Sequence, residues 1–184
     1  MKEYILEIKK ILPSSSCEKV ISYFDDQQLN LASFGDNQKD RNVRNCETKS
    51  ILNEPRTFGQ KIVRNYLKKI MFDIGTTYRN KFPHYGFDRI SQLDILKYEY
   101  NNYKAGYEFH VDHGSMVPER SLSISVCLNN KFMGGEFVFD LPEGQAQYAQ
   151  NIGDAIVFPS NFMFPHQVKK ITSGTRYSLI GWII

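Results

Sequence analysis

His110-x-Asp112, with His166 and Arg176 further along the chain, is the pattern best suited to chemistry. The run Gly106-Tyr-Glu-Phe-His-Val-Asp112 reads as a β-strand, on which residues two apart point to the same face. An imidazole nitrogen and a carboxylate oxygen would then meet at one metal ion. His166, from a distant strand, would complete two histidines and one carboxylate on one side of an octahedron. Such a donor set suits Fe(II) and leaves the opposite positions open for substrate chemistry. Taken alone, His-x-Asp is a weak signal, because a strand histidine is more often a structural residue than a ligand.

The surroundings strengthen it. In Thr175-Arg-Tyr-Ser-Leu-Ile-Gly-Trp-Ile-Ile184, alternation puts Arg176, Ser178, Ile180 and Trp182 on one face and Tyr177, Leu179 and Ile183 on the other. A strand apolar on both faces is buried on both sides, so its arginine needs an anionic partner. The guanidinium fork matches a carboxylate, and Ser178 could add a hydroxyl donor. The alternative is a surface guanidinium at the strand's start. Ser121-Leu-Ser-Ile-Ser-Val-Cys-Leu128 pairs an apolar face (Leu122, Ile124, Val126, Leu128) with a small, mildly polar one (Ser121, Ser123, Ser125, Cys127). That second face suits either a ligand-lined wall or an ordinary surface row. Tyr98 and Tyr100 could each point a phenol at a carboxylate, although strand tyrosines often only pack. His113 and His84 are the remaining histidines, expected outside the metal set.

These residues need elements to position them. Tyr4 to Leu12 alternates as a strand stopped by Pro13, and Ser15-x-x-Glu18 reads as a capping box opening a helix through about Phe24. Residues 25–50, rich in Asn, Asp, Gln and Lys, suggest a loop or a poorly paired edge. From Pro55 to about Tyr78 the pattern is helical, with Asn53 as the cap and Phe58, Ile62, Tyr66, Ile70 and Ile74 as the covered stripe. After Pro83 the chain becomes β-rich. Strands are expected at Gln92–Tyr100, Tyr107–Asp112, Ser121–Leu128, Glu136–Leu141, Asp154–Phe158, His166–Val168 and Arg176–Ile184, separated by Gly, Pro and Asn turns. Short strands at this spacing read as a sandwich or barrel.

The bulk properties narrow the class. A length of 184 residues fits one domain over 1–184, with strand and supporting helices in 1–90 and the β core in 91–184. Net charge is +3 with cations scattered along the chain, which argues against a nucleic-acid partner. Three cysteines without CxxC spacing fit a reducing compartment rather than a disulfide framework. The charged N-terminus is unlike a signal peptide and no run is long and apolar enough for a membrane span, so a cytoplasmic protein is expected.

His110-x-Asp112, Gly134-Gly135-Glu136, Gly153-x-Ala-x-x-Phe158, His166, Gly174-x-Arg176 and Gly181-Trp182 together resemble the 2-oxoglutarate- and Fe(II)-dependent dioxygenases, in the prolyl 4-hydroxylase-like branch with small bacterial and phage members. The resemblance runs from about Gln92 to the C-terminus. It implies a mainly β double-stranded β-helix (jelly roll) braced by N-terminal helices. His110, Asp112 and His166 would hold iron, and Arg176 would take the far carboxylate of 2-oxoglutarate. Tyr100 keeps the offset of a cosubstrate-contacting tyrosine. Cys127 stands where the oxygen-sensing prolyl hydroxylases carry another, a gap that Tyr98 could fill. The implied cosubstrates are 2-oxoglutarate and O2, with ascorbate as a further cofactor. The implied reaction is hydroxylation of a C–H bond, with a prolyl residue in a peptide or protein as leading substrate and a free amino acid or other small metabolite as the alternative. Rivals from other classes are a non-catalytic jelly-roll ligand-binding module and a cupin-like isomerase with another metal.

Overall fold

The computed structural model describes residues 1–25, 29–33, 38–51, 57–100 and 105–184. After a short 3-10 turn come β1 (Leu6–Ile8), α1 (Ser14–Asp25), β2 (Asn30–Leu31), β3 (Arg44–Asn45), β4 (Glu47–Ser50) and α2 (Phe58–Lys81). The rest is strand: β5 (Ile90–Glu99), β6 (Gly106–His110), β7 (Leu122–Cys127), β8 (Phe132–Gly134), β9 (Phe137–Phe139), β10 (Ala146–Tyr148), β11 (Ala155–Pro159), β12 (His166–Val168) and β13 (Ile171–Ile183).

The strands form two antiparallel sheets. The larger runs β1-β11-β7-β13-β5-β4-β2 with β8 added beside β13, and the smaller runs β10-β9-β12-β6-β3. Facing one another, they make the expected double-stranded β-helix. Strand alternation divides the apolar residues into two cores. Leu93, Ile95, Leu122, Ile124, Val126, Leu179 and Ile183 leave the larger sheet on one side and meet Cys17, Val20 and Phe24 of α1 and Leu67, Met71 and Ile74 of α2. Leu96, Tyr98, Phe137, Phe139, Ile156, Phe158 and Val168 fill the space between the sheets. The layers are therefore helices, large sheet, small sheet, with the cavity between the last two.

Several expectations shift. The first strand is confined to Leu6–Ile8. Helix α1 starts at Ser14, with the Pro13 carbonyl accepting from the Ser16 and Cys17 amides, so Ser15 lies within its first turn rather than at the cap. Asn53 and Pro55 lie outside the described residues. The cap that is described is Thr57, whose hydroxyl accepts from the Gln60 amide while the Gln60 side chain reaches back. The polar region 25–50 contains β2, β3 and β4, which extend both sheets through pairings with β5 and β6. The edge alternative describes β2 and β3, which end their sheets, while β4 lies inside the larger sheet between β5 and β2.

The stripe on α2 is corrected too. Ile70 and Ile74 are buried with Leu67, Met71 and Tyr78, but Phe58 is 78%, Ile62 54% and Tyr66 39% exposed. A repeat of four overshoots the 3.6-residue turn by about 40° per step, so Phe58 lies about 120° around the helix from Ile70. Accordingly Ile74→Ala should cost about 2–5 kcal/mol in urea denaturation, whereas Phe58→Ala should stay within about 0.5 kcal/mol. Equal costs would show that the N-terminal half of α2 is packed.

Candidate metal centre

Strand β6 ends at His110, and the chain turns so that Asp112 sits just beyond the sheet rather than on it. His166 opens β12 directly opposite His110. The three side chains converge: His110 Nε2 lies 3.5 Å from Asp112 Oδ1, and His166 Nε2 lies 3.7 Å from Asp112 Oδ2. One donor atom from each can be chosen so that all three fall within 4.8 Å of one another. The expected convergence holds, brought about by a turn after the strand instead of by strand alternation.

Each donor is held from behind. His110 Nδ1 is 2.8 Å from the Glu108 carbonyl and His166 Nδ1 is 3.1 Å from the Phe164 carbonyl. Those carbonyls call for N–H on Nδ1, which leaves the Nε2 lone pairs facing the centre. Burial and the neighbouring His110 push the His166 imidazole down to about 4, with Asp112 acting against them, so it is neutral at physiological pH. Burial opposes ionisation of Asp112, but His166, His110 and the Ser123 hydroxyl outweigh it and hold the carboxyl well below its usual range. Ser123 donates to Asp112 Oδ2 at 2.6 Å and shares a 2.8 Å contact with Ser160. A neutral His166 imidazole and an anionic Asp112 carboxylate are in the donor state a divalent ion requires.

The centre opens into a cavity of about 500 Å³ between the sheets. Its floor is the inward face of β13, where Arg176, Ser178, Ile180 and Trp182 line it while Tyr177, Leu179 and Ile183 face the helices. Arg176 is 2% exposed. Its guanidinium lies 5.5–5.9 Å from the ring centres of Tyr98, Phe132 and Phe137, and its only hydrogen bond among the described residues is to neutral Gln150, at 3.2 Å. No carboxylate among the described residues pairs with it. The chain can pass this close only at Gly135, where a Cβ would stand 2.8 Å from Arg176 Cδ. Ser125 and Ser178 line the same floor with buried hydroxyls that lack partners. A buried cation and two unsatisfied hydroxyls in one cavity are groups that a carboxylate could satisfy.

Two of the sequence-derived residues fall outside. Tyr100 stands beyond the end of β5, 52% exposed, and does not line the cavity, whereas Tyr98 two residues earlier is buried beside Arg176. Cys127 points the expected way but is also absent from the lining, its thiol turned to the Asn129 carbonyl at 3.1 Å. His113 is exposed at the cavity mouth, and His84 is exposed elsewhere. The residues not anticipated are Arg44, Thr48, Gln92, Asp94 and Arg120, all lining the cavity. Asp94 alone left a trace, a carboxylate within the run Leu93-Asp-Ile-Leu96.

Residues 97–184 match the 2OG-Fe(II) oxygenase superfamily model. The chain is 33% identical over 101 residues to a PKHD-type hydroxylase of Rippkaea orientalis, covering 52% of this chain and 43% of that protein. A PKHD-type hydroxylase of Prochlorococcus marinus is 37% identical over 81 residues, 42% of this chain and 36% of that one. The chain thus spans about two fifths of the length of the curated relatives it matches. Among solved structures, a Trichoplax adhaerens prolyl hydroxylase in complex with a hypoxia inducible factor peptide superposes with TM-score 0.82 at 17% identity, covering 98% of this chain and 83% of that one. A Pseudomonas putida prolyl-4-hydroxylase gives 0.75 at 20% identity, covering 98% and 91%. They share the fold.

The Ser123 hydroxyl orients Asp112 without touching the donor centre. Ser123→Ala should weaken Mn(II) binding about 10- to 100-fold in a calorimetric titration while the far-UV circular dichroism is unchanged. An unaltered affinity would remove Ser123 from the support of the site.

Proposed function

We propose that this chain, whose residues 97–184 match the 2OG-Fe(II) oxygenase superfamily, hydroxylates an unactivated C–H bond using Fe(II), 2-oxoglutarate and O2. The carrying observation is one cavity that holds a metal-ready His110–Asp112–His166 cluster and, within it, a buried Arg176 with no carboxylate partner among the described residues. The donor set fits a divalent iron, and the empty-handed guanidinium fits the far carboxylate of a keto diacid. We read 1–184 as one such unit, because α1 and α2 share a core with β5, β7, β11 and β13.

When bound, iron with 2-oxoglutarate and O2 supplies the oxidation that turns C–H into C–OH. The chain's own residues do the placing. Arg176 offers a planar two-donor fork, and Gln150 and the surrounding rings keep it from swinging. Ser178 and Ser125 provide hydroxyls along the floor between that fork and Ser123, which steadies Asp112. Phe137, Val168 and Ile180 give the cavity apolar walls that limit water at the reacting centre. Arg120 lies 3.9 Å over the Trp182 ring and donates to the Asp112 carbonyl at 3.1 Å, fixing the turn that carries the carboxylate ligand.

For substrate, we take a prolyl residue of a peptide or protein, the reading supported by the prolyl hydroxylases that share the fold. A ligand-binding module without redox chemistry would leave the open metal face and the paired polarity of the cavity without a use.

Adding Fe(II) and then 2-oxoglutarate to the anaerobic protein should produce a weak visible charge-transfer band that needs both additions and is lost in His110→Ala. Arg176→Ala should raise the 2-oxoglutarate concentration for half-formation by about 30-fold or more, since unpairing a buried charge costs at least about 2 kcal/mol, with metal affinity retained. A folded protein that gives no band, or an Arg176→Ala protein with unchanged demand, contradicts the assignment.

A further inference from the structure

The cavity contains a second polar group that the cosubstrate does not account for. Asp94, on β5, lines it and is 6% exposed. Its Oδ2 accepts from the Gln92 amide at 2.6 Å, and Gln92 Oε1 in turn accepts from Arg120 at 2.6 Å. The Gln92 side chain is thereby fixed, with its amide spent on one carboxylate oxygen. The other, Oδ1, is buried with no partner at hydrogen-bond geometry, although the Ser50 hydroxyl opposite it on β4 is near enough to favour its ionised form. Burial raises the Asp94 carboxyl above its ordinary range, while Gln92, Ser50, Arg44 and Arg120 pull the other way.

The register locates this group. Asp94 pairs with Ile180, which pairs on its other side with Ser125. Asp94 is therefore two strands, roughly 10 Å, across the floor from the serine row. It lies on the side where β4 adds Thr48, whose hydroxyl is also buried and unpartnered. Buried donors without partners share the cavity as well: the Trp182 indole N–H, next to Asp94 along the same floor, and Arg44 Nε. An unsatisfied carboxylate oxygen costs several kcal/mol unless a ligand donates to it, and the free donors beside it ask for an acceptor.

We propose that Asp94 is the receptor for an ammonium group on the substrate, with the Trp182 and Arg44 donors facing the carbonyl or carboxylate of the same residue. This rests on the oxygenase reading above, narrows its peptide substrate to a terminal prolyl residue, and admits free proline beside it. A prolyl residue inside a peptide has no N–H and cannot satisfy Asp94. A prolyl residue with a free nitrogen carries a secondary ammonium with two. The substrate is thus an N-terminal prolyl residue or free proline, which share that ammonium and differ in whether an amide or a carboxylate meets the donors.

The test uses the anaerobic protein loaded with Fe(II) and 2-oxoglutarate and follows the shift of the visible band on adding L-proline, prolyl-glycine, and the N-acetyl form of each. A free-nitrogen probe should bind, and acetylation should weaken it about tenfold to a hundredfold, the loss of a charge-assisted hydrogen bond. Asp94→Asn and Asp94→Leu should erase that preference while the band itself still forms. L-proline binding more tightly than prolyl-glycine assigns the free amino acid, and the reverse assigns the N-terminal residue. Acetylated probes binding as well as free ones, or a preference that survives both variants, overturns the role of Asp94 and leaves the prolyl reading standing. Band formation without response to any probe overturns both the prolyl reading and this one, and no band at all overturns the cofactor reading beneath them. The comparison of free with acetylated probes is made on the unaltered protein, so it holds even if both variants misfold.

Discussion

The pairing of β13 between β5 and β7 is the constraint on which the rest of the molecule depends. Along one strand it places Arg176 against Tyr98, Ser178 between Leu96 and Cys127, Ile180 between Asp94 and Ser125, and Trp182 between Gln92 and Ser123. Each of these rows crosses the cavity floor. Because side chains alternate with a period of two, a slip of one residue would send Arg176 into the helix-facing core and Tyr177 into the cavity. The two cores prevent that slip. Leu179 and Ile183 fit only among Leu67, Met71 and Ile74, and no arginine could replace them without stranding a charge.

Within that frame the polar groups divide into two kinds. Those that support the metal donors are satisfied: both Nδ1 atoms meet carbonyls, Ser123 meets Asp112, and Arg120 meets the Asp112 carbonyl and Gln92. Among the residues that line the cavity several are not, namely the Ser125 and Ser178 hydroxyls, Asp94 Oδ1, Thr48 Oγ1 and the Trp182 indole, all buried without partners. A fold selected for stability alone would have paired or removed them. In the proposed reading, an anion at the Arg176 end and a group with N–H donors at the Asp94 side would meet them.

Neighbouring aromatic rings set the dielectric in which this happens. His166 packs against Phe137, Phe139 and Phe158 with centroids 6.0, 5.6 and 4.6 Å away, which keeps the ring dry and neutral. The same Phe137 flanks Arg176, so one side chain borders both the His110–Asp112–His166 cluster and the buried guanidinium. Charge placed anywhere in this volume is felt strongly throughout it.

Arg176 with Ser178, the serine face of β7 and the β-rich architecture were legible in the amino-acid sequence as local periodic signals, residue type plus a spacing of two, whereas the His110, Asp112 and His166 set was legible by residue type and by resemblance. What required tertiary structure was every relation that a turn or a long-range pairing decides. Tyr98 and Tyr100 have the same parity, and only the end of β5 shows that the first is enclosed and the second is not. His110 and Asp112 meet because the chain turns after the strand. Arg44 reaches the cavity from the edge strand β3 and Thr48 from β4, paired between β2 and β5, in a stretch whose composition reads as loop or poorly paired edge. The partnerless oxygen of Asp94 is a property of its surroundings. Sequence determines which side chains can face the same way, and only the packed chain decides which of them end up enclosed together and which are left without a partner.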